Sequence, residues 1–216
     1  MSIKDTYRVQ SIKKEECKEW FLHKHYAHRM ANIIYAFGLY CSNVLCGVCS
    51  FGPAPNINTN NIVGDVKVYE LNRLVINQDT PKNTLSFFVS KALISLPTPT
   101  CIISYADTGR GHHGYIYQAT NWIYTGESSP GGATEFEKDG IIYHARNLYG
   151  ENYDKNKFMF TPIPRSPKHR YFYFLGSKKQ KKEMLSKLPF AVLPYPKGDN
   201  KRYDASYEVR TQLSLL

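Results

Sequence analysis

Leu39-Tyr-Cys-Ser-Asn-Val-Leu-Cys-Gly-Val-Cys49 reads as two strands joined at a Ser42-Asn43 turn. Extended outward, the arms become strands over Ile33–Cys41 and Val44–Phe51. The same stretch holds a C-x-x-C, Cys46 and Cys49. Zinc or redox chemistry would need both thiols on one side. Residues three apart on a regular strand face opposite ways, and no second C-x-x-C completes four ligands. Buried strand cysteines are the better reading. With Cys17, Cys41 and Cys101 the chain has 5 cysteines, an odd number that points to free thiols in a reducing cytoplasm.

Upstream of the hairpin, Ser11 is placed to cap a helix running to about Lys24, with Cys17, Trp20 and Phe21 on one face. A polar link, His23-Lys-His-Tyr-Ala-His28, joins it to the sheet. Downstream, a loop rich in Gly, Pro and Asn leads to a strand over Val66–Ile76. Pro81 opens a helix with Leu85, Phe88, Val89, Ala92 and Leu93 as its apolar positions. Cys101–Tyr105 is a short apolar strand of the buried type. A helix over about His113–Trp122 and a strand over Ile123–Gly126 follow. After a polar loop at Ser128–Gly132 comes a hairpin of Thr134–Phe136 with Gly140–His144. Residues 148–164 read as irregular. His169–Leu175 is an aromatic strand, a lysine-rich helix starts near Ser177, and the end reads as Pro-rich and then loose. The pattern is α+β with a mostly antiparallel sheet.

The chain has 216 residues, enough for one domain with a real core. Lys4, Asp5 and Arg8 stand where a leader's apolar region would lie, and no apolar run is long enough to span a bilayer, so a cytoplasmic protein without a membrane segment is expected. Net charge is +10. Between Arg165 and Arg210 there are 12 Lys/Arg against 4 Asp/Glu, so most of the excess lies in the last quarter. A localised basic field favours polyanions, with nucleic acid first.

Several residue groups could carry chemistry. Gly109-Arg-Gly-His-His-Gly114 matches G-x-G-x-x-G, with Glu127 near the spacing of a ribose-binding acid. The hairpins before it and the mixed strands after it argue against a dinucleotide unit. The local turn still offers N–H groups to an anion. Asp107, just past a buried strand, could accept a proton, orient an amine or simply cap a turn. His25, Tyr26 and His28 could supply a base, a phenolic acid or metal ligands. Arg73, inside a β-like run, must face solvent or an anion. Asn83 and Ser86 could hold a pyrophosphate at a helix start, or serve as ordinary capping. His169-Arg-Tyr-Phe-Tyr-Phe174 could stack on bases or alternate as a core strand. The run Lys178-Lys-Gln-Lys-Lys182 fits phosphate contact or a solvated helix face.

Taken together, five stretches resemble the phage Mom family of DNA-modifying proteins in order and spacing, from about residue 20 to 180. They are Glu70-Leu-Asn-Arg-Leu-Val75, Asn83-x-x-Ser86, Ser104-Tyr-Ala-Asp107, Gly111-His-His-Gly-Tyr-Ile-Tyr-Gln-Ala-Thr-Asn-Trp122 and Pro167-Lys-His-Arg-Tyr-x-Tyr-Phe-Leu-Gly176. The family is related to the GNAT acyltransferase fold. The resemblance implies one GNAT-like domain over residues 1–216, α+β, its sheet flanked by helices, with a basic C-terminal part from about 165. It implies a transferase that converts adenine in double-stranded DNA to N6-carbamoylmethyladenine and so protects phage DNA from restriction. His25, Tyr26, Asp107 and Arg73 would be its catalytic residues. Arg73, Leu74, Val75, Asn83 and Ser86 would bind acetyl-CoA or a related donor, Asn83-Thr-Leu-Ser86 standing where GNAT enzymes carry a glycine-rich pyrophosphate loop. Lys168, Arg170, Lys178, Lys179, Lys181 and Lys182 would grip DNA. Iron is a conceivable cofactor, held by the His25, Tyr26 and Asp107 grouping. Two rivals remain. A GNAT-type N-acetyltransferase of a small amine or protein would consume acetyl-CoA without DNA. A non-catalytic basic DNA-binding protein would leave DNA unaltered. An adenine methylase is disfavoured because no D/N-P-P-Y/F/W tetrapeptide occurs.

Overall fold

The expected hairpin is present as β2 (Tyr35–Cys41) and β3 (Val44–Pro53), with Ser42 and Asn43 both in the left-handed region at φ 45° and 69°. The computed structural model describes residues 2–129, 134–144, 157–198 and 211–212. The expectations for residues 148–156 and for the loose end at 199–210 lie outside the described residues, as does part of the 128–132 loop. A short helix, α1 (Ile3–Thr6), precedes β1 (Tyr7–Ser11), which pairs antiparallel with β2 at the sheet edge. This corrects the reading of Ser11. It ends a strand opposite Phe37 instead of capping a helix. The helical stretch begins after Lys13, whose N–H is accepted by the Glu16 carboxylate at 2.8 Å. It runs from a 3-10 turn, Lys14–Cys17, to a wide π turn, Trp20–Lys24.

The chain continues through α2 (Ile57–Asn60), β4 (Val68–Ile76), α3 (Thr84–Ile94), β5 (Thr100–Asp107), α4 (Tyr115–Ala119) and β6 (Ile123–Ser128). After β7 (Thr134–Lys138), β8 (Ile141–His144) and β9 (Thr161–Pro164) come β10 (Lys168–Leu175), α5 (Lys178–Lys187) and β11 (Thr211–Gln212). The main sheet has the order β1-β2-β3-β4-β5-β10-β6, with β11 beside β3, and every pairing is antiparallel except β4 with β5. The fold is thus α+β, a mixed, mostly antiparallel sheet flanked by helices. A second, three-stranded sheet has the order β8-β7-β9. It claims Thr161–Pro164, part of the stretch expected to be irregular.

Helices cover both faces. On one, α3 buries Phe88, Val89, Ala92 and Leu93 against Phe51, Leu71, Ile102 and Trp122. Each large side chain so removed from water contributes roughly 1.5–3 kcal/mol. On the other, Cys17, Trp20 and Phe21 pack over Val48 and Val75, while Met184 of α5 and Leu188 just after it pack over Cys101, Ile103 and Phe172. No described helix is long and apolar enough to cross a membrane.

Three register shifts break the simple alternation of the main sheet, one of them between β10 and β6 at His169 and Tyr171. Leu39 pairs with Gly47 and Tyr40 with Leu45, so Cys46 is an extra residue on β3. The bulge brings Cys46 and Cys49 to the same core cluster, against the opposite-face expectation for a regular strand. Both are free thiols, and burial pushes both upward in pKa. The second bulge lies on β4, at the site.

Candidate active site

β4 and β5 share only three partner pairs, Val68 with Cys101, Tyr69 with Ile102 and Glu70 with Ile103, and then part. The Ser104 hydroxyl sits at the fork. It donates to the Leu71 carbonyl at 2.8 Å and lies 2.7 Å from the Tyr117 hydroxyl. Beyond it opens a cleft of about 810 Å³. Its walls are the end of β4, the end of β5, the link after the π turn, the start of α3, and residues 165–168. Seven lysines and arginines line it against Glu70, Asp107 and Glu135. The cleft itself is therefore a basic surface, which the charge count along the sequence did not locate.

Arg73 owes its direction to the bulge. Ser50 pairs with Arg73 and Phe51 with Leu71, leaving Asn72 extra. Before the extra residue, Tyr69 and Leu71 face the core under α3. After it, Leu74 and Ile76 do, while Arg73 and Val75 take the other face. Unbroken alternation would drive Arg73 into that core. Instead Arg73, 9% exposed as a residue, lines the cleft. Nη1 donates to the Asn72 carbonyl at 2.6 Å, and Nε and Nη2 have no partner among the described residues. Burial and the Arg29 cation pull its pKa down to about 10, which leaves it charged at neutral pH.

Asp107 ends β5. One carboxylate oxygen accepts from Ser166 Oγ at 2.5 Å and from the Gly109 N–H at 3.0 Å, and the other meets the Lys168 ammonium. Burial alone would raise the Asp107 pKa. Lys168, Ser166 and Gly109 outweigh it and hold the carboxyl below its ordinary value. Asp107 is thus a fixed anion and a weak base. Lys168, expected to be a free phosphate contact, is committed to this pair.

His25 and Tyr26 stack at 4.4 Å between ring centroids, and the edge of His112 meets Tyr26 at 5.7 Å. The Arg110 guanidinium sits 5.8 Å from the Tyr26 ring centre. His25 Nδ1 accepts the Ala27 N–H at 3.1 Å, which assigns the ring proton to Nε2. Burial, then Arg73 and other cations, hold His25 well below its ordinary pKa, so it is neutral. Burial and Asp107 push Tyr26 up, so it is a neutral phenol. His112 and His169 are also lowered, by burial first. All three histidines take protons more readily when unfolded, near pH ~6.5, so stability rises with pH through that region. The melting temperature should fall as pH drops from 7.5 to 5, and His25→Gln should flatten that slope. A melting temperature independent of pH over this range would contradict the buried neutral state.

Asn83 caps α3 at φ 70° without a side-chain bond, and the Ser86 hydroxyl donates to its carbonyl at 2.9 Å. Both line the cleft with Leu74 and Val75. Of the residues expected to hold iron, His25 Nδ1 and both Asp107 oxygens already have partners. No group of three or more His, Cys, Asp or Glu among the described residues is arranged to hold a metal. The residues do not fit an iron centre.

Of the described basic residues of the last quarter, Arg165 and Lys168 line the cleft and the others lie away from it. Arg170 is tied down, donating from Nε and Nη2 to the side chain and carbonyl of Thr125 at 2.9 Å each, and stacking 3.4 Å from the Phe190 ring centre. Lys178, Lys179, Lys181 and Lys182 are exposed. They follow the Leu175 end of the β5–β10 ladder, while Asp107 and Lys168 close the other end. Seven residues at about 3.3 Å each separate the ends by roughly 23 Å. Sequence reasoning missed Lys24, a buried lysine at the cleft whose ammonium donates to Asn77 at 2.7 Å. It also missed Ser166 and Tyr117.

The model of the Mom protein family matches residues 6–197. The Methylcarbamoylase mom of Escherichia phage Mu is 32% identical over 206 residues, covering 88% of this chain and 83% of that protein. Among solved structures, a Bacillus subtilis acetyltransferase in complex with CoA aligns with a TM-score of 0.46 at 11% identity, covering 79% of this chain and 99% of that one. A variant of the Vibrio cholerae spermidine N-acetyltransferase aligns with a TM-score of 0.47 at 9% identity, covering 83% and 97%.

Proposed function

The chain belongs to the Mom protein family, and from that premise we propose that it is a transferase acting on double-stranded DNA. It converts adenine to N6-carbamoylmethyladenine, shielding phage DNA from restriction in the host cytoplasm. The phage Mu relative named as a methylcarbamoylase supports this reading. The observation that carries the chemistry is Arg73, a buried cation whose Nε and Nη2 have no partner among the described residues, in the same cleft as the fixed Asp107 carboxylate.

A donor of the acetyl-CoA type, or a related one, fits these residues, because a phosphate would satisfy Arg73 Nε and Nη2. The first free N–H groups of α3, at Leu85 and Ser86, lie on the same wall. When bound, the donor would supply the transferred group: the N6–C bond forms as that carbon's bond to its leaving group breaks. Because a plain acetyl group lacks the amide nitrogen of the product, the related donor that balances carries the CH2–CO–NH2 group whole. Leu74 and Val75 form the strand beside it. The N6 amine of adenine is a poor nucleophile, since its lone pair is shared with the ring, so the protein must orient it and manage its proton. Adenine leaves the duplex stack at a cost of a few kcal/mol. Asp107, clasped by Lys168 and Ser166, retains a lone pair to accept an N6–H bond and hold the amine in place. Tyr26 and the Nε2–H of His25 are neutral donors for charge that develops during transfer. A duplex reaches from the cleft to the lysines of α5, since roughly 23 Å is about seven base pairs.

Expression in a bacterial host followed by hydrolysis of its DNA to nucleosides and mass spectrometry tests the activity. A heavier deoxyadenosine is expected. Unaltered deoxyadenosine beside abundant folded protein sinks the reading. Alanine at Lys178, Lys179, Lys181 and Lys182 together should weaken DNA binding and flatten its salt dependence by roughly 0.9 log–log units for each phosphate no longer neutralised. An unchanged slope would make them a solvated helix face.

A further inference from the structure

Asn72 is the extra residue of the β4 bulge, and its side chain joins three segments. Its Oδ1 accepts from the buried Ser50 hydroxyl of β3 at 2.7 Å, and its Nδ2 donates to the Asn32 carbonyl at 2.9 Å. The Asn32 segment itself docks on β3, where the Ile34 N–H bonds the Phe51 carbonyl at 2.8 Å. Gly52 makes the junction possible. A Cβ there would collide with both the Asn32 carbonyl and Asn72 Nδ2. The bulge peptide also offers its carbonyl to Arg73 Nη1. One residue thus turns the strand over, is tied on both sides, and supplies the carbonyl that anchors the guanidinium it redirects. A bulge held only by backbone could slip by one position, and each slip would exchange the two faces of β4.

We propose that Asn72 is a positioning residue, whose clamp to Ser50 and Asn32 across Gly52 holds the bulge that aims Arg73 into the cleft. The inference rests on Arg73 as an anion receptor. Asn72 does not touch the donor. It acts through the placement of Nε and Nη2. A polar residue serving stability alone would leave the anion affinity of the folded protein untouched.

Titration calorimetry of the full chain with inorganic pyrophosphate tests it, with the Arg73 Nε–H NMR resonance as a second reading. Wild type should bind, and Arg73→Ala should weaken binding at least about tenfold. Asn72→Ala should weaken it about three- to tenfold and shift the Nε–H resonance, and the double variant should bind no worse than Arg73→Ala, since both act through one contact. Ser50→Ala, which removes the donor to Asn72 while leaving its backbone alone, should give the same effect and serves where Asn72→Ala does not fold. Wild-type affinity and an unmoved resonance in folded Asn72→Ala and Ser50→Ala overturn the positioning role while sparing the receptor. Losses that multiply in the double variant do the same. Absence of pyrophosphate binding by wild type overturns the receptor, and the positioning role with it.

Discussion

Arg73→Met is expected to leave DNA unmodified and to make the protein harder to melt. The guanidinium is buried with two N–H groups lacking partners among the described residues, so it costs folding energy that only a bound anion returns. Methionine has a similar reach and no charge to bury. Removing the cation should stabilise the fold by roughly 1–2 kcal/mol, a rise of several degrees in melting temperature. Removing the charge-assisted contacts should lower the rate of adenine modification at least about 100-fold, or ~2.7 kcal/mol. Arg73→Lys keeps a point charge without the fork and should recover only part of the activity. Calorimetry and nucleoside mass spectrometry on the same preparations read both effects. A variant that is less stable and inactive would mark Arg73 as a structural residue.

Asp107→Asn should reduce modification by a similar factor for a different reason. The amide oxygen can still accept from Ser166 and Gly109, so the loop after β5 should keep its shape. The charge that holds Lys168 and orients the amine is gone. Lys168→Met separates the two contributions. Lys168 is the foremost stabiliser of the charged carboxylate, so its loss should raise the Asp107 pKa. If activity requires the ionised form, the acid limb of the rate profile moves to higher pH. An acid limb that stays in place would show that Asp107 ionisation does not govern the rate.

Much of the sheet was legible because alternation and apolar runs mark β2, β3, β5 and β10 on their own. The crossover helix α3 announced itself through Phe88, Val89, Ala92 and Leu93. β1 did not, because Arg8 and Gln10 on its open face dilute the pattern and Ser11 resembles a cap. β9 did not, because Pro162 and Pro164 mask an edge strand. His25, Tyr26, Arg73, Asp107, Asn83 and Ser86, singled out one by one along the chain, all line one cleft. How they are connected was not legible. The pairing of Lys168 with Asp107 spans 61 positions and depends on the register of β10 against β5. The face of Arg73 depends on one inserted residue, and composition carries no trace of it. The lysines of α5 were legible as a charged run, but their distance from the cleft is set by the length of a ladder.

β10 lies between β5 and β6 although it follows both in the chain. As the polypeptide leaves the ribosome, the main sheet therefore stays in two pieces until residue 175 has emerged. Until then β6 has no neighbour in that sheet and Asp107 lacks its lysine. Synthesis that stops short of that point leaves the facing edges of β5 and β6 bare, a template for pairing with other nascent chains. Early stop mutations should yield aggregates, and none should yield a partial enzyme.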